Sequence, residues 1–228
     1  MTVWSQNLDL MPKDTFNNLD SSKKAMIVKA FITEFTLNPY DEASISKVVK
    51  QIGIAKGCVY QYFDNKLDLY IFLMNECVTE KARYVNIDRK DFMDFWAYFR
   101  KLYEAGYQFD AEHPLKSHFL HRLMQNTNSP SIMSLYKDLM DKSIAAFNEM
   151  IQYEINAGLF RSDIPVEIMG HMLYKTGVAI MEYMEHECII TPNENIKHEL
   201  PVFHGKKELL IDTVENHIQL IRPAFDKE

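Results

Sequence analysis

Apolar residues recur at steps of three and four along nearly all of the chain after residue 22. This spacing places them on one face of a helix, and the first such stripe contains Ile27, Phe31 and Phe35. The 228 residues include only 7 Gly and 8 Pro. Sandwiches and barrels need a turn signal about every 8–12 residues, so this composition argues against an all-β protein. The sequence predicts an all-α fold.

Breaks in the periodicity separate four helices at the N-terminal end. The first begins where Ser21 or Ser22 can cap it, and it ends before Pro39, because the residue preceding a proline is pushed out of the helical region. Ser44 can cap a short second helix, which ends at Gly53. A third short helix follows over 56–63, and a fourth runs from a capping box to about position 84.

The rest of the chain is predicted to form four or five longer helices. Capping residues or prolines mark their starts near Asp88, Pro114, Ser129, Pro165 and Lys206. We therefore expect an N-terminal extension, a three-helix head and a larger helical body. The predicted bounds of these three parts are residues 1–21, 22–68 and 69–228.

Charge is distributed unevenly along the chain. The whole sequence has a net charge of −7, but residues 22–75 carry seven lysines and five acids, which gives this segment +2. A mildly basic segment within an acidic chain is compatible with a nucleic-acid-binding module joined to an acidic body.

Targeting and disulfide signals are missing from the sequence. No apolar run approaches the ~18 residues that cross a bilayer, and residues 1–20 lack the basic flank and apolar core of a signal peptide. The three cysteines, Cys58, Cys77 and Cys188, are too few and too scattered for a disulfide framework or a zinc knuckle. We expect a soluble, cytoplasmic protein.

Two short helices that are separated by a tight turn and preceded by a longer helix follow the plan of a helix-turn-helix. A recognition helix of about two turns fits the major groove, which is ~12 Å wide. Lysine and glutamine can contact phosphates and base edges, tyrosine hydroxyls suit phosphate oxygens, and glycine lets the backbone approach DNA. On the third helix, the residues expected to face outward are Lys56, Gly57, Cys58, Tyr60, Gln61 and Tyr62.

Two further candidates, Ser44 and Lys66, complete the predicted DNA-binding set. Lys56 and Lys66 each stand at a predicted helix N-terminus, where a cation is disfavoured unless a phosphate is nearby. This mismatch favours a DNA contact over a merely solvated lysine.

Residues 27–69 resemble, without a gap, the DNA-binding head of the tetracycline-repressor (TetR-like) family of bacterial regulators. The family pattern is an apolar helix, a Gly-Tyr step, a Ser/Thr-capped helix, and the run Gly-Val-Ser-Lys-Gly-Thr-Leu-Tyr-x-Tyr/His-Phe followed after two residues by Lys. The matching positions here are Phe35, Tyr40, Ser44, Ile45, Val48, Gly53-Ile54, Lys56-Gly57, Val59-Tyr60, Tyr62-Phe63, Lys66 and Leu69.

Three positions depart from the family pattern. Pro39 replaces the usual Gly, and Ala55 stands where a Ser or Thr caps the recognition helix. The loss of that cap should cost about 0.5–2 kcal/mol unless water or a DNA phosphate binds the free amides. Cys58 replaces a Thr that often touches DNA. These changes affect the expected operator sequence more than DNA binding itself.

The resemblance implies a homodimeric transcriptional repressor that a small, largely apolar effector releases from its operator. It places the dimer interface on the last two long helices, at about 165–187 and 206–222, and the helix over 66–84 is the expected lever between head and body. Candidates for lining the effector pocket are Trp96, Phe99, Tyr103, Phe119, Phe147, Tyr174 and Met181.

Other functional classes have less support in the sequence. His118 and His121 lie one turn apart, but no thiolate or carboxylate has the spacing of a third metal ligand, so we expect no metal and no cofactor. The chain has no nucleophile elbow and no phosphate-binding glycine loop, so we expect no enzyme. One alternative stays open: a helical small-molecule or lipid-binding protein whose head no longer binds DNA.

Overall fold

The structure is a computed structural model that describes residues 12–125, 129–187 and 189–227. These residues form helices joined by turns and contain no β-strand, and the only pairing of extended backbone among them is an isolated bridge between Phe160 and Asp226. The all-α prediction is confirmed. The helices are α1 (Asp14–Asn17), α2 (Ser21–Leu37), α3 (Ile45–Gln51), α4 (Lys56–Tyr62), α5 (Lys66–Val85), α6 (Phe95–Glu112), α7 (Pro114–Gln125), α8 (Met133–Asn156), α9 (Val166–His186), α10 (Pro192–Asn195) and α11 (Lys207–Ile221).

Side-chain caps explain where the head helices begin. Ser44 accepts a hydrogen bond from the amide of Lys47 at the start of α3, and Asn65 accepts one from the amide of Asp68 at the start of α5. The cap of α2 is Asp20 rather than Ser21 or Ser22, since its carboxylate accepts the amide of Lys23. An aspartate one position earlier satisfies the same free amides.

The start of α6 differs from its prediction. Asp88 caps a single 3-10 turn over Arg89–Asp91, and α6 begins at Phe95 after its own cap, Asp94. Arg89, between these two caps, pairs with a buried carboxylate. Its guanidinium donates to both oxygens of Glu154, at 2.6 and 2.9 Å.

Apolar side chains bury themselves in two separate clusters. The first, which we call the head-side core, joins α1–α5 to α7 and the start of α8, and it includes Phe31, Phe35, Tyr70, Phe119 and Leu135. The second, the body core, joins α6, the end of α8, α9 and α11, and it includes Phe95, Trp96, Phe160, Leu173 and Val214. The helix α5 starts in the head-side core and continues past it toward α6.

Because α5 is continuous from residue 66 to residue 85, it crosses the predicted boundary between head and body at residue 68. The domain bounds stay a prediction, and residues 1–11 of the predicted extension lie outside the described part of the chain. In the described residues, no helix is both long and apolar enough to cross a membrane.

Two helical glycines differ in the space around them, and this difference yields a prediction. A Cβ at Gly106, in the middle of α6, would meet no atom within 4 Å, so Gly106→Ala should raise the free energy of unfolding by about 0.5–1 kcal/mol. A Cβ at the buried Gly170 of α9 would overlap the Asn148 side chain, so Gly170→Ala should lower it by about 1–3 kcal/mol. Denaturant unfolding of the two variants measures both effects, and equal changes would contradict this account.

Candidate nucleic-acid interface and effector site

The helix α4 presents a polar face to solvent and an apolar face to the head-side core. Val59 and the following Phe63 are each 1% exposed and anchor the helix. Of the six residues of α4 predicted to face outward, four are exposed and Cys58 is half-buried; the exposed residues are Lys56, Gly57, Tyr60 and Gln61. In the described part of the chain, Lys56 has no acidic partner within 4 Å, so its ammonium is available to an external anion.

The prediction that Tyr62 contacts DNA is contradicted by the burial of its side chain. It was expected to face outward, but it is only 6% exposed and belongs to the head-side core. The cause is α1, which the sequence analysis did not predict. Phe16 of α1 contacts the ring of Tyr62 edge-on, with ring centroids 5.6 Å apart, and the same Phe16 packs against Phe63 and Phe72.

A short segment that includes α1 also binds the backbone at the end of α4. We call it the N-terminal strap, residues 13–17. The amide of Lys13 donates to the carbonyl of Tyr62 at 2.9 Å, its ammonium donates to the carbonyl of Tyr60 at 3.1 Å, and the hydroxyl of Thr15 donates to the carbonyl of Gln61. The last carbonyls of a helix have no partner within the helix, and a cation is favourable there. The strap therefore supplies hydrogen-bond donors to the last three carbonyls of the recognition helix.

Ser44 is held at the start of α3 by α2. The buried carboxylate of Glu34 accepts the amide of Ser44 at 3.0 Å and pairs with the ammonium of Lys47 at 2.9 Å. The Ser44 hydroxyl oxygen accepts the amide of Lys47, which leaves the hydroxyl proton free for an external acceptor such as a phosphate.

Lys66 lies in a different environment from Lys56. Its ammonium is 4.7 Å from the centre of the Tyr40 ring, and burial lowers its pKa while the nearby carboxylates of Asp41 and Glu34 act in the opposite direction. Asp41 in turn accepts hydrogen bonds from the hydroxyls of Ser129 and Ser131, both at 2.6 Å. Lys66 is thus part of a contact between the head and the segment that leads into α8.

The seven candidates for the effector pocket are divided between the two cores. Phe119 packs in the head-side core with its ring 5.3 Å from Tyr70. Trp96 is buried in the body core, where its indole nitrogen donates to Asp226 at 2.8 Å. Phe99 belongs to the body core, and Tyr103, Phe147 and Met181 pack against it. Tyr174 is buried on α9. The structure therefore does not bring all seven together.

The histidines considered as metal ligands have protein partners. A ring nitrogen of His118 lies 2.8 Å from the carbonyl of Leu200, and burial lowers the pKa of this histidine. His121 lies 3.2 Å from the carboxylate of Glu185 on α9. Among the described residues, no group of three His, Cys, Asp or Glu side chains could hold a metal ion. Cys188 lies outside those residues.

The strap makes a prediction about the recognition helix. Phe16→Ala removes the aromatic contact that covers Tyr62 and should lower the free energy of unfolding by about 3–5 kcal/mol. Hydrogen exchange of the amides in 56–62 should become faster in the same variant. Met93→Ala is the control, because the Met93 side chain is 98% exposed. Unchanged exchange in α4 of the Phe16 variant would show that the strap does not hold this helix.

Comparisons with known proteins agree with this geometry. Residues 27–71 match the family model described as bacterial regulatory proteins, tetR family, and this range contains α3, α4 and the start of α5. A "Fatty acid metabolism regulator protein" of Bacillus subtilis (strain 168) is 39% identical over 54 residues. That match covers 24% of this chain and 28% of the relative.

Solved structures extend the likeness in fold to nearly the whole chain. A TetR family transcriptional regulator from Chloroflexus aurantiacus is similar with a TM-score of 0.72 and 22% identity, over 96% of this chain and 100% of that one. A ketosteroid transcriptional regulator of Mycobacterium tuberculosis is similar with a TM-score of 0.56 and 15% identity, over 92% and 98%. The chain therefore resembles this family: residues 27–71 match its family model, and the chain shares its fold with the solved TetR family structure.

Proposed function

We propose that the chain is a homodimeric, sequence-specific DNA-binding regulator of transcription, a repressor that a small and largely apolar effector releases from its operator. The observation that carries this proposal is the seven-residue helix α4, whose apolar face is locked in the head-side core while Lys56, Gly57, Tyr60 and Gln61 face solvent. A short helix that presents a lysine, a glycine and a glutamine to solvent is suited to the major groove of DNA.

Each exposed group has a defined task in this proposal. Lys56 neutralises a phosphate or donates to a guanine, and Gln61 reads a base edge. Gly57 adds no side chain, so the first turn of α4 can come close to the duplex. The hydroxyls of Tyr60 and Ser44 donate to phosphate oxygens. Tyr62 is left out of the contact set because it is buried.

The dimer is proposed to form through α9 and α11. Both helices carry apolar side chains in solvent, with exposures of 60% for Ile168, 41% for Met172 and 48% for Tyr183 on α9. On α11, Leu209 is 46% exposed and Leu220 is 78% exposed. A second copy would cover these side chains in a four-helix bundle. It would also hold two heads at the ~34 Å that separates successive major grooves.

Effector binding in the body is proposed to change the spacing of the heads. The effector needs only a different affinity for the two arrangements of the dimer. Two routes lead from the body to the head. The first is α5. The second is the polar contact of Asp41 with Ser129 and Ser131. Beside this second route, Arg122 of α7 donates a hydrogen bond to the carbonyl of Thr36 at the end of α2. The names of the fatty acid and ketosteroid regulators agree with an apolar effector.

The DNA contact of Lys56 is testable without knowledge of the operator. Duplexes enriched by the protein from a random library provide the probe, and their affinities are measured between 50 and 200 mM salt. Lys56→Gln should weaken binding by roughly tenfold and lower the slope of log affinity against log salt by about one. Lys90→Gln, an exposed lysine between α5 and α6, is the control. A Lys56 variant with the wild-type affinity and slope, or no enrichment at all, would contradict the proposal.

The dimer interface has its own test. Met172→Asp places a carboxylate in the proposed apolar interface, where it would be desolvated without a partner, so the dimer should dissociate to monomers. Met93→Asp introduces the same change at a side chain that is 98% exposed and lies before α6, and it should leave the dimer intact. Sedimentation equilibrium distinguishes these outcomes. A Met172 variant that dimerises as tightly as the wild type would place the interface elsewhere.

A further inference from the structure

The outer face of α9 carries charges as well as apolar side chains. The opposite face, which includes Leu173 and Ile180, is buried in the body core. Side chains that are exposed or half-buried recur at steps of three and four along the outer face: Ile168, His171, Met172, Lys175, Ala179, Glu182, Tyr183 and His186. The outer face therefore extends over nearly the whole helix and can pack along a second helix.

Two opposite charges on this face, Lys175 and Glu182, are unpaired. In residues 12–125, 129–187 and 189–227, neither side chain makes a hydrogen bond or has an opposite charge within 4 Å. The Lys175 ammonium lies 5.8 Å from the centre of the Tyr174 ring. The two charges do not reach each other, because the seven residues between their positions span ~10 Å along the helix axis. Both charges are therefore available to another molecule.

Lys175 and Glu182 are placed symmetrically on the outer face. A separation of seven residues is about two helical turns, so the two side chains lie on the same side of α9. Their midpoint falls between Val178 and Ala179, two half-buried residues with short side chains that let another helix approach closely. A two-fold axis through this midpoint places Lys175 of each copy opposite Glu182 of the other. Both charges then meet an opposite charge.

The charges on α11 disfavour this helix at the same central position. After Lys207, the charged side chains of α11 are all carboxylates, namely Glu208, Asp212 and Glu215. Glu215 already pairs with Arg100 of α6 at 2.8 Å, while Glu208 and Asp212 are exposed. A two-fold axis through the middle of α11 would bring carboxylates of the two copies together, which is unfavourable. The charge pattern therefore favours α9 as the helix at the axis.

We propose that Lys175 and Glu182 set the register of the homodimer. Two copies of α9 cross antiparallel at Val178 and Ala179, and Lys175 of each copy pairs with Glu182 of the other. This inference rests on the proposed function, since it requires the dimer, and it adds the residues that decide which chains can associate. A chain with like charges at these two positions would be repelled, so the pairs contribute specificity more than affinity.

Charge reversal tests the pairing. Lys175→Glu places carboxylates opposite carboxylates and should raise the dissociation constant of the dimer about 100-fold or more. Glu182→Lys places ammonium groups opposite ammonium groups and should have a similar effect. The double variant Lys175→Glu/Glu182→Lys restores opposite charges and should dimerise about as tightly as the wild type. Sedimentation equilibrium over a dilution series measures the constants, and circular dichroism shows whether each variant is folded.

Mixtures of the same proteins test which residues meet. In a dimer of one Lys175→Glu chain and one Glu182→Lys chain, every charge at the two contacts meets its opposite, whereas each variant alone repels itself. Native mass spectrometry should therefore show the mixed dimer as the main dimer. The double variant should form no mixed dimer with the wild type, because like charges would meet at both contacts. Lys90→Glu is the control, since it makes the same charge change at an exposed lysine before α6 and should dimerise as the wild type does.

A Lys175→Glu protein that dimerises as tightly as the wild type would overturn this register. A folded double variant that stays monomeric would overturn it as well. If Met172→Asp dissociates the dimer but Lys175→Glu does not, the interface of the proposed function stands and the pairing alone is wrong. A wild-type protein that is monomeric at every concentration would overturn both.

Discussion

The proposed DNA-binding surface depends on one interaction, which is the burial of one side of the seven-residue helix α4. A helix as short as α4 is marginal by itself in water, where about 12–15 residues are needed. Its position is set by Val59, Tyr62 and Phe63, which enter the head-side core, and by the N-terminal strap, which binds its last carbonyls. Tertiary packing replaces the cap that Ala55 does not supply.

Apolar burial divides the described residues into the head-side core and the body core. On α8, Leu135 belongs to the head-side core and Ile151 to the body core, while Met140 and Ile144 between them are only half-buried. The helix α5 begins in the head and continues without a break to residue 85. Hydrogen bonds from Ser129 and Ser131 to Asp41 connect the head to the segment before α8.

Periodicity and turn residues predicted most helices from the sequence, including α3, α4, α9 and α11, because their starts and stops are local signals. They failed where contacts with a distant segment determine which side chain is buried or where a helix begins. The four residues of α1 are too few to show a period, so nothing in the sequence indicated that Phe16 covers Tyr62. Likewise, α6 begins at Phe95, after the cap Asp94, rather than near Asp88, and Arg89 before it pairs with Glu154, 65 residues away. Aromatic content suggested a pocket, but it could not assign Phe119 to the head-side core.

The central claim is that two copies of α4 enter successive major grooves on one side of a duplex. Hydroxyl-radical footprinting of an enriched duplex bound to the full chain tests it directly. The account predicts two protected regions of similar strength, with centres about 10 base pairs apart on one face of the DNA. Protection of a single region, or cleavage that does not differ from that of free DNA, would contradict it.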